Sequence, residues 1–81
     1  FPNPFNPVTT IRFQIPKAGN VTIKVFDING REVETLIDKY LQPGYYKTNF
    51  APGEKNLSSG VYFYTMQSEG FYVTKKMVVL K

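Results

Sequence analysis

A period of two dominates this chain. Ile11, Phe13 and Ile15 fall on one side, and Thr10, Arg12 and Gln14 on the other. That is the pattern of a strand with one face in a core and one in water. Val21, Ile23 and Val25 repeat it against Thr22 and Lys24, and Tyr46, Thr48 and Phe50 share a face further on. Each run ends at turn-forming residues: Pro16 with residues 17–20, then Asp27-Ile28-Asn29-Gly30, residues 38–43, Pro52-Gly53 and Ser68-Glu69-Gly70. Gly30 suits the left-handed position of a bulged hairpin. No stretch carries the 3.6 period of a helix. Alternation of this kind, broken at short intervals, excludes a helical bundle and a parallel α/β sheet.

The expected strands cover residues 9–15, 21–26, 31–37, 45–50, 57–67 and 71–80. The third is the least regular, with Val33 inward and Leu36 or Ile37 packing at its end. Six or seven short strands imply an all-β domain, an antiparallel sandwich of two sheets. Residues 57–67 form its centre. Leu57-Ser58-Ser59-Gly60 leads into Val61-Tyr62-Phe63-Tyr64-Thr65-Met66-Gln67, a composition suited to a pleated, half-buried surface. Tyr62, Tyr64 and Met66 share one face. Gly60 stands where the chain must turn sharply, a conformation glycine adopts without steric cost. The arrangement predicts a tyrosine corner, with the Tyr62 phenol bonded to backbone upstream. Immunoglobulin domains carry a cysteine two residues beyond that tyrosine; here the position is Tyr64, so bulk replaces a bridge. The last strand ends in Met77-Val78-Val79-Leu80, apolar on both faces, which suits a strand covered on both sides.

With 81 residues and no cysteine, the chain is one small domain held by packing. A domain of this size buries roughly 60–65% of its unfolded surface, and seven Phe and six Tyr supply the bulk. The absence of cysteine does not assign a compartment, since a small exported domain can rely on its core. The net charge of +4 is spread along the chain, and Lys75, Lys76 and Lys81 are its only concentration. Nucleic-acid binding calls for a denser stripe. No apolar run approaches the ~20 residues of a membrane-spanning helix. The chain opens at Phe1 with Phe-Pro-Asn-Pro-Phe-Asn-Pro, a Pro-rich lead-in over residues 1–7 that disfavours helix and central strand. The sandwich is expected over 8–81, and the whole reads as one domain cut from a longer protein.

Without histidine or cysteine, histidine-based triads and ordinary zinc sites are excluded. Glu32 and Glu34, two apart on a strand, face the same way by simple alternation, and a solvated face explains them. Asp27-Ile28-Asn29-Gly30 resembles the start of a calcium loop but lacks its later acidic ligands, so a turn is the better reading. No catalytic residue, metal site or cofactor is expected. Phe26, Tyr45, Phe63 and Tyr72 are open to three readings: a second layer of packing, a protein contact, or an outward row for stacking on sugars.

Taken in order, several segments resemble one family. They are residues 2–7, then Thr9-Thr10-Ile11-Arg12-Phe13, then residues 25–33 through Asp27-Ile28-Asn29-Gly30. Gly44-Tyr45-Tyr46, Leu57 with Gly60-Val61-Tyr62, and the closing Lys75-Lys76-Met77-Val78-Val79-Leu80-Lys81 complete the set. The chain is similar to the type A C-terminal sorting domain of the type IX (Por) secretion system. The resemblance implies an immunoglobulin-like sandwich attached to the C-terminus of a cargo protein. It implies transit through the periplasm, recognition by the outer-membrane translocon, and removal by a sortase-type peptidase, with the cargo left at the cell surface or secreted. Gly44, Tyr46, Gly60, Tyr62, Lys75, Lys76, Val78 and Lys81 match the family's motifs and are the expected partner-recognition residues. Residues 49–56 are longer than the family's aspartate-glycine turn. A second resemblance, carried by the early motif, is to the immunoglobulin-like domain of flagellar hook-capping proteins, which implies a structural module. A carbohydrate-binding accessory domain is the remaining alternative.

Overall fold

The structure, a computed structural model, describes residues 8–80. The lead-in over residues 1–7 and Lys81 lie outside them. Six strands follow in order: β1 (Thr9–Ile15), β2 (Gly19–Phe26), β3 (Glu32–Leu41), β4 (Gly44–Phe50), β5 (Gly60–Ser68) and β6 (Phe71–Val79). A single 3₁₀ turn, Pro52–Lys55, sits between β4 and β5. The strands form two sheets, β1-β4 and β3-β2-β5-β6, with every pairing antiparallel. The order is that of an immunoglobulin sandwich reduced to strands B and E over strands C′, C, F and G. Its extents of 37 × 31 × 16 Å suit two layers, since stacked sheets lie about 10 Å apart.

The inward faces are those the alternation predicts. Val21, Ile23 and Val25 are buried on β2, Ile11 and Ile15 on β1, and Tyr62 and Met66 on β5. They divide into two packed groups. Ile11, Val25, Phe50, Tyr62, Met77 and Val79 fill one end, and Ile15, Val21, Ile23, Leu41 and Met66 the other. Phe50 meets Tyr62 edge-on, with ring centroids 5.1 Å apart. Phe13 stacks on Tyr46 at 5.6 Å. Such aromatic pairs add about 0.5–1.5 kcal/mol beyond burial alone.

β3 departs most from expectation. It runs on through residues 38–41, expected as loop, and β2 begins at Gly19 to match it, pairing Gly19 with Leu41. Pairing satisfies the backbone of both segments, which outweighs their weak strand propensity. The register slips between Ile23 and Lys24 and again between Val25 and Phe26. Each slip leaves one extra residue on β3, Leu36 and Val33, and both pack into the core. The bulge at Val33 also corrects the reading of the two glutamates. Glu34 lies opposite Val25 and Glu32 opposite Phe26, so they face opposite sides of the sheet. Glu32 instead sits 3.7 Å from Lys24.

β6 is a second correction. It is an edge strand, and of its apolar end only the inward residues are covered: Met77 and Val79 are buried, whereas Val78 is 51% and Leu80 71% exposed. Apolarity on both faces does not mark a doubly covered strand here, because the four-stranded sheet has the small sheet on one side only.

Phe50 lies at the junction of both layers. Phe50→Ala is expected to cost about 3–5 kcal/mol, a large share of the roughly 5–15 kcal/mol of a whole domain. Urea unfolding followed by tyrosine fluorescence checks this; a loss under about 1 kcal/mol would show that the two sheets do not depend on this ring.

Candidate recognition surface

Two of the expected recognition pairs are corners that hold the fold. Gly60 turns into β5 with φ 145°, and the buried Tyr62 donates its phenol hydrogen to the Ser58 carbonyl four residues upstream. This is the tyrosine corner predicted from residues 57–62. Gly44, with φ 157°, turns into β4 in the same way. Tyr46 donates to the Gln42 carbonyl at 2.6 Å, again four residues upstream. The Tyr46 ring folds back over Gly44, whose missing Cβ would stand 3.6 Å from it. The second corner was legible as a repeat of Gly-x-Tyr at 44–46 and 60–62, a signal that strand periodicity does not register.

The remaining described candidates stand on β6. Lys75, Lys76 and Val78 are all exposed, but they do not share a face. Lys75 lies opposite Tyr64 on the inward side, between Val73 and Met77. Lys76 lies opposite Phe63 and Val78 opposite Val61, on the outward side. The two groups are therefore distinct: Gly44, Tyr46, Gly60 and Tyr62 shape the sandwich, and Lys75, Lys76 and Val78 are presented by its edge. Lys81 lies outside the described residues.

The outward aromatics divide between surfaces. Phe26 and Phe63 are cross-strand neighbours on the large sheet, and both are half-buried. Tyr72 lies opposite Gln67 on the same sheet. Tyr45 is on the small sheet, opposite Gln14, and is strongly exposed. The four do not form one row. Beside Tyr45, Arg12 and Lys47 stand directly opposite each other, flanking a shallow groove of about 540 Å³.

Asp27 serves its own turn. One carboxylate oxygen accepts from the Asn29 and Arg31 backbone N–H groups at 2.9 and 3.0 Å. The other accepts from the Arg31 guanidinium at 3.2 Å. Gly30 takes the left-handed position, φ 82°. The Arg31 backbone N–H leads in holding the Asp27 carboxyl below its ordinary value of 3.8, with the Asn29 N–H and the Arg31 charge adding to it. Among the described residues no three His, Cys, Asp or Glu side chains gather to hold a metal ion. No helix there is long and apolar enough to cross a membrane.

This geometry defines the class: an immunoglobulin-like sandwich domain with an exposed, partly apolar edge strand. Over residues 1–80 the chain matches the family model described as the secretion system C-terminal sorting domain. It belongs to that family: it is a C-terminal sorting signal for type IX secretion, carried by a secreted or cell-surface cargo protein. The family is a sorting domain, not a catalytic one. No curated protein and no solved structure matches the chain significantly.

The two corners differ in burial, and their loss should differ too. Tyr62→Phe leaves the Ser58 carbonyl without its partner in a part-buried site, at an expected cost of about 1–3 kcal/mol. Tyr46→Phe, at an exposed corner, should cost less than half as much; equal losses in denaturant unfolding would contradict this ranking. Asp27 predicts a pH effect. Its native value is lowered, so its contribution is complete above the unfolded value near 3.8 and is lost as pH falls through the lowered native value. The stability gap between the parent and Asp27→Asn should hold constant above about pH 5 and close on further acidification; a gap unchanged down to about pH 2 would remove the carboxylate from the account.

Proposed function

We propose that β6 and its C-terminal continuation are the part of this sorting domain that the type IX outer-membrane translocon reads. The cargo reaches the translocon through the periplasm. A sortase-type peptidase then removes the domain, leaving the cargo at the surface or in the medium. The domain itself is not an enzyme and uses no cofactor. One observation carries the reading: β6 is an edge strand whose outward side displays Lys76, Val78 and Leu80 beside Val61 and Phe63, with no second layer over them among the described residues. An edge strand offers a row of backbone N–H and C=O groups to an incoming strand, and side chains on alternate faces add selectivity. The lysines offer carboxylate partners a charge-assisted hydrogen bond. In this reading Gly44, Tyr46, Gly60 and Tyr62 contribute to recognition through the shape they impose, and Lys75, Lys76, Val78 and Lys81 by contact. No observation favours a sugar-binding role.

The test is export of a reporter. Residues 1–81 are fused behind a periplasm-directed fluorescent protein in a host with a type IX system. Translocon-dependent arrival of the reporter outside the cell, without its tail, is expected. Lys76→Glu combined with Val78→Glu changes only exposed positions and should block export while the domain remains folded by circular dichroism. Undiminished export of that variant would sink the assignment to β6.

A further inference from the structure

The turn from β2 into β3 needs a glycine and thereby creates a reactive pair. Gly30 stands at φ 82°, a left-handed conformation that residues with a side chain adopt only with strain. A Cβ there would meet no atom within 4 Å, so the backbone angle, not space, calls for glycine. Asn29 precedes it and is exposed, and no other asparagine of the chain is followed by glycine. The Asn29 side-chain carbonyl carbon, Cγ, and the Gly30 nitrogen can close a succinimide ring. Such intramolecular attack gains from proximity, and glycine carries no side chain to hinder it.

The turn also restrains that pair. The Gly30 N–H donates to the Asp27 carbonyl at 2.9 Å, so the nitrogen can lose its proton only when this bond breaks. Asp27 Oδ1 accepts from the Asn29 and Arg31 N–H groups at 2.9 and 3.0 Å, which fixes the backbone on both sides of the Asn29–Gly30 peptide. Oδ2 holds the Arg31 guanidinium at 3.2 Å. The Arg31 backbone N–H leads in keeping the Asp27 carboxyl below its ordinary value. Asp27 thus stays an ionised acceptor in neutral and alkaline water, where an amide nitrogen is most easily deprotonated. All of these bonds join residues 27–31 to one another. The Asn29 side chain itself makes no hydrogen bond among the described residues.

We propose that Asn29 is a site of spontaneous deamidation that the Asp27 carboxylate guards in the folded domain and that opens when the turn is lost. In the step, the Gly30 nitrogen gives up its proton and bonds to Asn29 Cγ. The Cγ–Nδ2 bond breaks, and the amide nitrogen leaves as ammonia with that proton. Water then adds to one of the two ring carbonyls and opens the succinimide, giving aspartate or isoaspartate. No oxidant or cofactor takes part. In the isoaspartate the main chain runs through Cβ and Cγ, so one more carbon separates the amide of residue 29 from Gly30. The Gly30 and Arg31 N–H groups then no longer meet the Asp27 oxygens together. Either product adds a carboxylate close to that of Asp27, and like charges at short range oppose the turn. The modified chain is thus poorly able to remake the turn that guarded it. None of these residues belongs to the recognition set of the export reading.

The test follows ammonia release and peptide maps of the 81-residue chain in mildly alkaline buffer, with and without urea. In urea Asn29 should convert ahead of every other asparagine. Without urea the folded chain should convert at least about tenfold more slowly. Asp27→Ala, shown folded by circular dichroism, should convert about fivefold or more faster than the folded parent, and the two should convert alike in urea. Should Asp27→Ala not fold, Asp27→Asn, which keeps one acceptor oxygen, should fall between the folded parent and the unfolded chain. The isoaspartyl product, returned to buffer, should fail to protect the Arg31 amide from hydrogen exchange, whereas unmodified chain carried through the same urea step should protect it. Conversion of the folded parent as fast as in urea, equal rates for the folded parent and the Asp27 variant, faster conversion at another asparagine, or recovered Arg31 protection in the isoaspartyl chain would each overturn the proposal.

Discussion

The contact between Phe50 and Tyr62 is where the two layers of this domain become one. Phe50 ends β4 on the small sheet, and Tyr62 opens the inward face of β5 on the large one. The rings meet edge-on, where the positive rim of one faces the negative face of the other. The Tyr62 hydroxyl then reaches past the core to the Ser58 carbonyl. One side chain thus fills the core, joins the sheets and pins the chain that crosses between them. The crossing covers residues 51–59, including the 3₁₀ turn, where Leu57 N–H also bonds the Pro52 carbonyl and the Pro52 ring is buried.

The Tyr46 corner applies the same physics to the opposite crossing, from β3 to β4. In both places glycine admits a backbone conformation that other residues adopt only with strain, and the tyrosine two residues on secures the carbonyl two residues before. A chain without disulfides needs such local ties, because its core is small for the entropy it must offset. A small sandwich with exposed edges is open to pairing with other chains. The lysines of β6 counter this, since charges on an edge oppose unplanned pairing.

Much of the fold was legible in residue order. Ile11, Ile15, Val21, Ile23, Val25 and Phe50 occupy the core that a period of two assigns them. Tyr62 was legible as a corner because glycine, spacing and an aromatic strand coincide there. β3 was not, because both its bulges and its last four residues depend on pairing with β2, and a bulge leaves no local signature. The opposed placement of Glu32 and Glu34 followed from the same bulge. The two roles within the expected recognition set were not legible: residues that hold the corners, such as Gly44 and Tyr62, and residues presented on β6, such as Lys76 and Val78, look alike in a string of letters.

The sequence by itself determined the all-β class, the inward face of each regular strand, the turn at Asp27–Gly30 and the family. These depend on short-range rules: alternation, turn chemistry and the order of motifs. Only the tertiary structure decided that β6 is an edge among the described strands, that Lys75 and Lys76 serve opposite faces of it, and that Glu32 and Glu34 face opposite sides of β3. These depend on which strands become neighbours. That choice is made by long-range pairing and layer packing, and residue order along a single strand does not contain it.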